Sequence, residues 1–302
     1  MSAKGLFNAL VVEAYANRGV ALRDDRRLAP FHFPRKLVRP LPGDQIELSS
    51  DDRLLAIAPR RNEFGRGDPR GRFRPVAANL DQAVIVIAAE PAPSVDLLHR
   101  YLAAALIAGI RPLVVINKTD LKLPDRPPFN ELAAVEALGI ATISTRCKPV
   151  ILVEALEAQL AGKTSLLAGQ SGVGKTSLLN ALVPDLDAQT GALSAVTGKG
   201  RHTTTSATLH PRPDGGAVID SPGVWEYGLW CMPTEQLIQG FPDLQAHADG
   251  CRFRNCSHDH EPGCAVRAAA ESGQIHPGRY QAWSRLLLEQ KRLGGPRGTL
   301  QR

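Results

Sequence analysis

At 302 residues, with 43% hydrophobic and 22% charged residues, the chain has the composition of a soluble globular protein of two or three domains, which excludes a disordered or fibrous one. No run of 18 apolar residues is present and the opening MSAKGLFNAL lacks a basic head with an apolar core, so neither a membrane helix nor a signal peptide is expected, and a cytoplasmic protein is. The net charge of +6 is uneven: residues 1–75 hold 15 Lys and Arg against 9 Asp and Glu, residues 76–264 hold 14 against 19, and residues 265–302 hold 7 against 2, so two basic ends that suit nucleic acid flank a mildly acidic middle.

Residues 1–75 carry short apolar runs split by turns: Ala9–Val12, Gly19–Leu22, Lys36–Val38, Gln45–Leu48 and Leu54–Ala58. Five strands at this spacing predict a small RNA-binding barrel, an OB-fold first and an SH3-like barrel as the rival. The stretch 59–75, with six arginines, closes this domain as an Arg/Gly-rich linker or mobile loop.

From residue 81 the texture changes to continuous β-branched runs, as strands buried on both faces require. A central P-loop domain with a mostly parallel sheet is expected over 76–234. Ala83–Ala89 forms one strand and a helix follows over about 94–108. Leu113–Ile116 then delivers Asn117-Lys118-Thr119-Asp120, and Ile140–Ile143 delivers Ser144. The NKTD tetrapeptide suits guanine: the Asp120 carboxylate can accept N1–H and N2–H₂ together, a pair that adenine lacks. Asn117 would touch the base edge and tie neighbouring loops, the Lys118 stem would cover the ring, and Thr119 lies within the motif. The backbone of Ser144-Thr145 would complete the pocket.

Ser165–Ala168 delivers Gly169-Gln170-Ser171-Gly172-Val173-Gly174-Lys175-Thr176, followed by Ser177 and a helix. This is a phosphate loop: glycines allow successive N–H groups to face phosphate oxygens, Lys175 supplies a point charge, and the Thr176 hydroxyl suits Mg²⁺. Beyond it, Ala217–Ile219 delivers Asp220-Ser221-Pro222-Gly223, a DxxG loop. Asp220 is placed to act on Mg²⁺ through water, and Gly223 to offer its N–H to the γ-phosphate. Between them lies Gly200-Arg201-His202-Thr203-Thr204-Thr205, where a switch loop belongs and one threonine should reach Mg²⁺. The base reader stands about fifty residues before the phosphate loop, the reverse of the usual order. The motifs therefore describe a circularly permuted GTPase, using GTP and GDP with Mg²⁺. Val224 stands where many GTPases have a glutamine, which predicts slow intrinsic hydrolysis; His202 is the nearest group that could orient water.

Residues 235–302 are expected to form a zinc-binding helical domain. Cys251-x4-Cys256-x-His258-x5-Cys264 supplies the four ligands of one closed structural Zn²⁺ site within fourteen residues, with His260 as a competitor for His258. A terminal helix is predicted over about 278–293.

Taken together, the permuted motif order, GRHTTT, DSPG followed by Trp-Glu-Tyr-Gly-Leu, and the Cys/His spacing resemble the RsgA/YjeQ family of bacterial permuted GTPases. The resemblance covers nearly the whole chain. It implies late maturation of the small (30S) ribosomal subunit and contact with 16S rRNA. It also implies hydrolysis stimulated by the subunit and release on hydrolysis; the sequence is silent on oligomeric state, a monomer being the default for a ribosome factor, and no membrane partner is expected. It further implies His202 as the catalytic histidine, beside Lys175, and Thr204 as the switch threonine on Mg²⁺. Two other readings of the motifs stay open: a GTP-gated RNA-binding module with negligible hydrolysis, and a permuted GTPase acting on another ribosomal particle.

Overall fold

The computed structural model describes residues 7–34, 36–184, 186–197, 207–221 and 228–294. The first five strands are β1 (Ala9–Tyr15), β2 (Arg18–Arg23), β3 (Leu28–His32), β4 (Gln45–Leu48) and β5 (Leu54–Ile57), in the spatial order β3-β2-β1-β4-β5 with antiparallel neighbours. A parallel bridge between His32 and Arg53 joins the two outer strands and closes the sheet into a five-stranded barrel of OB type. Phe31, Val11, Ala21 and Ile46 fill it. Gly19 stands opposite Phe31, and a β-carbon there would lie 2.6 Å from the Phe31 ring, so the glycine makes room for the largest core side chain.

Two expectations about this region are corrected. Lys36-Leu37-Val38 is not a strand; it is a turn between Pro34 and Pro40, with Leu37 and Val38 exposed. The third strand is Leu28–His32, and Pro30 within it is tolerated because the strand has one ladder partner along its length. Nor is 59–75 a linker or mobile loop. It folds as a hairpin of β6 (Glu63–Gly67) and β7 (Phe73–Ala78). The Asp68 carboxylate closes the tip by accepting from the N–H groups of Arg70 and Arg72 and from the side chains of Arg72 and Arg74. Phe64 is buried, and Phe73 meets Trp230 edge-on at 4.6 Å.

The central sheet comprises β8 (Gln82–Ala88), β9 (Arg111–Asn117), β10 (Thr142–Ser144), β11 (Thr164–Ala168), β12 (Thr208–Pro211) and β13 (Ala217–Asp220), ordered β10-β9-β8-β11-β13-β12. All neighbours are parallel except β12, which runs antiparallel to β13. The chain leaves β8 toward one edge and β11 toward the other, so the topological switch point lies between these two strands, where open α/β sheets bind ligands. Every residue of β8 is buried. Ala83, Ile85 and Ile87 face one layer, and Val84, Val86 and Ala88 face the other.

The second of these layers holds α3 (Glu154–Leu160) and α4 (Lys175–Leu182); α2 (Leu132–Ala137) and α5 (Leu186–Thr197) complete the helices of this region. The first holds α1 (Leu97–Ile107) together with the C-terminal helices α6 (Thr234–Leu237), α7 (Pro242–Ala248), α8 (Ala265–Glu271) and α9 (Pro277–Arg292). Trp283, Phe241 and Leu286 are fully buried in the same core as α1 and β8. The Cys/His segment thus leans on the α/β core as well as on its own ligand cluster. Among the described residues, no helix is long and apolar enough to cross a membrane.

Candidate nucleotide and metal sites

The phosphate loop leaves β11, and α4 begins at Lys175. Gly169, Gly172 and Gly174 have φ of +146°, +83° and +96°, values that L-residues with side chains rarely adopt. A β-carbon on Gly169 would lie 2.4 Å from the Val86 carbonyl oxygen. The glycines therefore let the loop wind tightly against Val86, Pro91 and Asn117, where side chains would clash, as a loop that turns successive N–H groups toward phosphate requires. Lys175 is buried, and its Nζ donates to the carbonyls of Gly169 and Gln170, each at 2.9 Å. Burial lowers the Lys175 pKa, while the Asp220 charge acts the other way. Burial pushes the Asp220 carboxyl up to about 6 against the pull of Lys175. A divalent cation would reverse that penalty. The Thr176 side chain is exposed at the start of α4.

The NKTD segment is joined to this loop directly. Asn117 is buried, and its Nδ2 donates to the Val173 carbonyl at 2.9 Å. Its Oδ1 accepts from Thr145 Oγ1 at 3.1 Å. Thr119 Oγ1 donates to the Thr145 carbonyl. Lys118 has φ +58°, and its Nζ donates to the carbonyls of Gly172 and Glu90, at 2.8 and 2.9 Å. Its ammonium is thus held on the phosphate loop. Asp120 is exposed beside them.

Sequence reasoning undervalued some residues here. Ser144 lies in β10, paired with Ile116 and exposed; the buried Thr145 after it ties the end of β10 to the NKTD segment through Asn117 and Thr119. The Gln170 side chain turns away from the cradle and donates to the carbonyls of Pro91 and Ala92. The Glu90–Ala92 segment went unremarked, although it follows a buried parallel strand as the recognised loops do. His202, Thr204 and Gly223 lie outside the described residues.

In the second site, the ligand atoms of Cys251, Cys256, His258 and Cys264 all lie within 4.8 Å of one another. His258 Nδ1 faces the sulfurs of Cys251 and Cys264 at 3.5 and 3.7 Å, and those sulfurs are 3.9 Å apart. Tetrahedral Zn²⁺ with ~2.3 Å bonds to sulfur sets its ligands about 3.8 Å apart, so the donor set fits. The N–H of Ala265 points at Cys251 Sγ and that of Arg267 at Cys264 Sγ, the dipoles thiolates need. His260 is exposed and paired with Asp259, outside the cluster.

The model of the RsgA GTPase family matches residues 57–230, more than half of the chain. The chain belongs to the RsgA GTPase family. It is 44% identical over 264 residues to the "small ribosomal subunit biogenesis GTPase RsgA" of Bordetella pertussis, covering 85% of this chain and 88% of that one. The protein of the same description from Chromohalobacter salexigens is 42% identical over 262 residues, covering 85% and 77%. Among solved structures, YjeQ from Thermotoga maritima aligns with a TM-score of 0.72 at 27% identity, over 94% of this chain and 98% of that one. YloQ, described as a circularly permuted GTPase, aligns with a TM-score of 0.69 at 28% identity, over 96% of each.

Proposed function

We propose that this RsgA-family chain is a GTPase that binds the small ribosomal subunit, assists its late maturation in the cytoplasm and leaves when GTP is hydrolysed. The observation that carries the nucleotide part is the Asn117–Val173 hydrogen bond, which fuses a base-reading motif to a phosphate loop fifty-odd residues later in the chain. One ligand with guanine at one end and phosphates at the other suits that union.

Each group then has a role. Asp120 selects guanine. The N–H groups of the phosphate loop and the Lys175 ammonium bind the β- and γ-phosphates. Thr176 and Thr204 would hold Mg²⁺, with Asp220 acting through water; Mg²⁺ supplies charge neutralisation on the phosphates. Gly223 would sense the γ-phosphate. His202 would orient the attacking water, the task that Val224 cannot perform. The thiolates of Cys251, Cys256 and Cys264 with His258 would hold Zn²⁺ and fix the C-terminal unit.

The ribosomal part draws support from charge. A groove of about 960 Å³ between the β6–β7 hairpin, α1 and α9 is lined by Arg66, Arg74, Arg100, Arg285 and Arg292; Asp68, Glu289 and Asp96 also line it and pair with Arg74, Arg100 and Arg285, which leaves the lining net positive. Such a surface suits RNA phosphates and predicts salt-sensitive binding. Val224 favours a second reading, a GTP-gated RNA-binding module that hydrolyses negligibly.

GTP turnover with and without purified 30S particles, for the wild type and His202→Ala, separates the two. Strong stimulation lost in His202→Ala supports the GTPase reading. No turnover under either condition, with nucleotide still bound, supports the second.

A further inference from the structure

The loop that leaves β8 lies against both nucleotide motifs, and its main chain makes the polar contacts. Three successive carbonyls, those of Glu90, Pro91 and Ala92, accept hydrogen bonds from side chains of those motifs. Lys118 Nζ donates to the Glu90 carbonyl at 2.9 Å and to the Gly172 carbonyl at 2.8 Å, so it bridges this loop to the phosphate loop. Gln170 Nε2 donates to the carbonyls of Pro91 and Ala92 at 2.8 and 3.3 Å. A β-carbon on Gly172 would lie 3.3 Å from the Pro91 ring. The loop reads Glu90-Pro91-Ala92-Pro93. Each proline fixes its own φ and lacks an N–H, which stiffens the segment and leaves it richer in acceptors than in donors.

Gln170 is only 1% exposed, although it belongs to the loop that faces the phosphates. Burying an amide side chain is unfavourable unless its polar groups find partners, and Pro91 and Ala92 take its donors. Its main-chain carbonyl meanwhile accepts from Lys175 Nζ at 2.9 Å. One residue therefore joins the β8 loop, through its side chain, to the phosphate-loop lysine, through its backbone.

We propose that Glu90–Ala92 is a latch for the phosphate loop and that Gln170 is the positioning residue it grips. The amide–carbonyl contact fixes the Gln170 peptide, and with it the place of the Lys175 ammonium and the turn at Gly172. The consequence for nucleotide rests on the GTP reading above. A loop held in its working shape loses less freedom on binding, and so keeps its ligand longer.

The test uses the full zinc-loaded chain and a fluorescent GDP analogue. Gln170→Leu keeps the bulk and removes the donor, so release of the analogue should speed up about tenfold, with zinc content and circular dichroism unchanged. In Gln170→Glu the carboxylate cannot donate and faces two carbonyl oxygens, which raises its pKa; once protonated, its O–H donates to Pro91 in place of the amide. Its release rate relative to wild type should be about tenfold at pH 8 and fall toward one by pH 5.5, while the Gln170→Leu ratio stays flat. A Gln170→Glu ratio that does not move with pH overturns the latch, and this arm stands whether or not Gln170→Leu folds. Nitrogen-15 relaxation without nucleotide gives a second readout: order parameters of the Gly172 and Gly174 amides should drop below about 0.6 in Gln170→Glu at pH 8, and values kept near the rigid level of about 0.85 overturn the latch. The relaxation arm needs no ligand, so a chain that binds no guanine nucleotide overturns the GTP reading and the nucleotide half of this inference, while relaxation still decides the latch.

Discussion

Asn117 and Gly174 approach so closely that a β-carbon on Gly174 would lie 2.3 Å from Asn117 Nδ2. The contact couples the end of β9 to the end of the phosphate loop, and Gly174 also has φ +96°. Gly174→Ala therefore meets both a clash and a strained backbone, and no other glycine of the loop sits against the base-reading motif in this way. Guanine nucleotide affinity should fall more than about 100-fold while zinc content stays at one per chain. Equilibrium titration with fluorescent GDP reads this; affinity within a few-fold of wild type would mean the two motifs are not one site.

Asp120 makes a separate prediction, about choice rather than affinity. Its exposed carboxylate is free to accept two donors from guanine. In Asp120→Asn the amide presents one acceptor and one donor, which suits xanthine. Preference for GTP over XTP should fall by about 100-fold or more and can invert. Competition binding with the two nucleotides measures it. An unchanged ratio assigns the base pocket elsewhere.

The parts of this molecule that could be read in the sequence are those with short-range grammar. β8, β9 and β11 are buried on both faces, so they appear as continuous Val/Ile/Leu/Ala runs, and the motifs follow at their ends. Gly169, Gly172 and Gly174 mark the phosphate loop because only glycine takes their backbone angles readily. The cysteine spacing gives the metal cluster for the same local reason. By contrast, Pro30 broke the apolar pattern of β3, and arginines hid Phe64 and Phe73 in the hairpin. The Gln170–Pro91 and Asn117–Gly174 contacts join residues more than fifty positions apart, and no local pattern announces them. The linked set Asp243, Arg279, His99 and Glu131, buried except for the half-buried Asp243, comes from four separate segments, each of which looks like ordinary surface charge on its own.

The metal cluster predicts a sharp difference between two histidines. His258 points Nδ1 at two sulfurs, whereas the His260 side chain is 78% exposed. Elemental analysis should find about one zinc per chain in the wild type and in His260→Ala, and almost none in Cys256→Ser. Chelator treatment of the wild type should lower the melting temperature, because Tyr280 hydrogen-bonds to the His258 carbonyl and so ties the cluster to α9. Full zinc in Cys256→Ser, or loss in His260→Ala, would reassign the ligand set.

Glu131 gives stability a dependence on pH. Its carboxylate is buried 2.6 Å from His99 Nε2; His99 also faces Arg279, itself paired with Asp243, while His276 and Arg285 add positive charge nearby. Burial alone would raise its pKa, but the hydrogen bond and charge of His99, with His276 and Arg285, outweigh it and hold the carboxyl below the ordinary glutamate value. The unfolded chain therefore takes up a proton at higher pH than the folded one does. The contribution is complete above the usual value of about 4.3 and is lost as pH falls through the lower folded value. Melting temperatures of wild type and Glu131→Gln between pH 7 and pH 3 should show a gap that is widest near neutrality and closes on the acid side. A gap of constant width would mean that Glu131 contributes through packing against Gly278, whose added β-carbon would lie 2.0 Å from Oε1, and not through its charge.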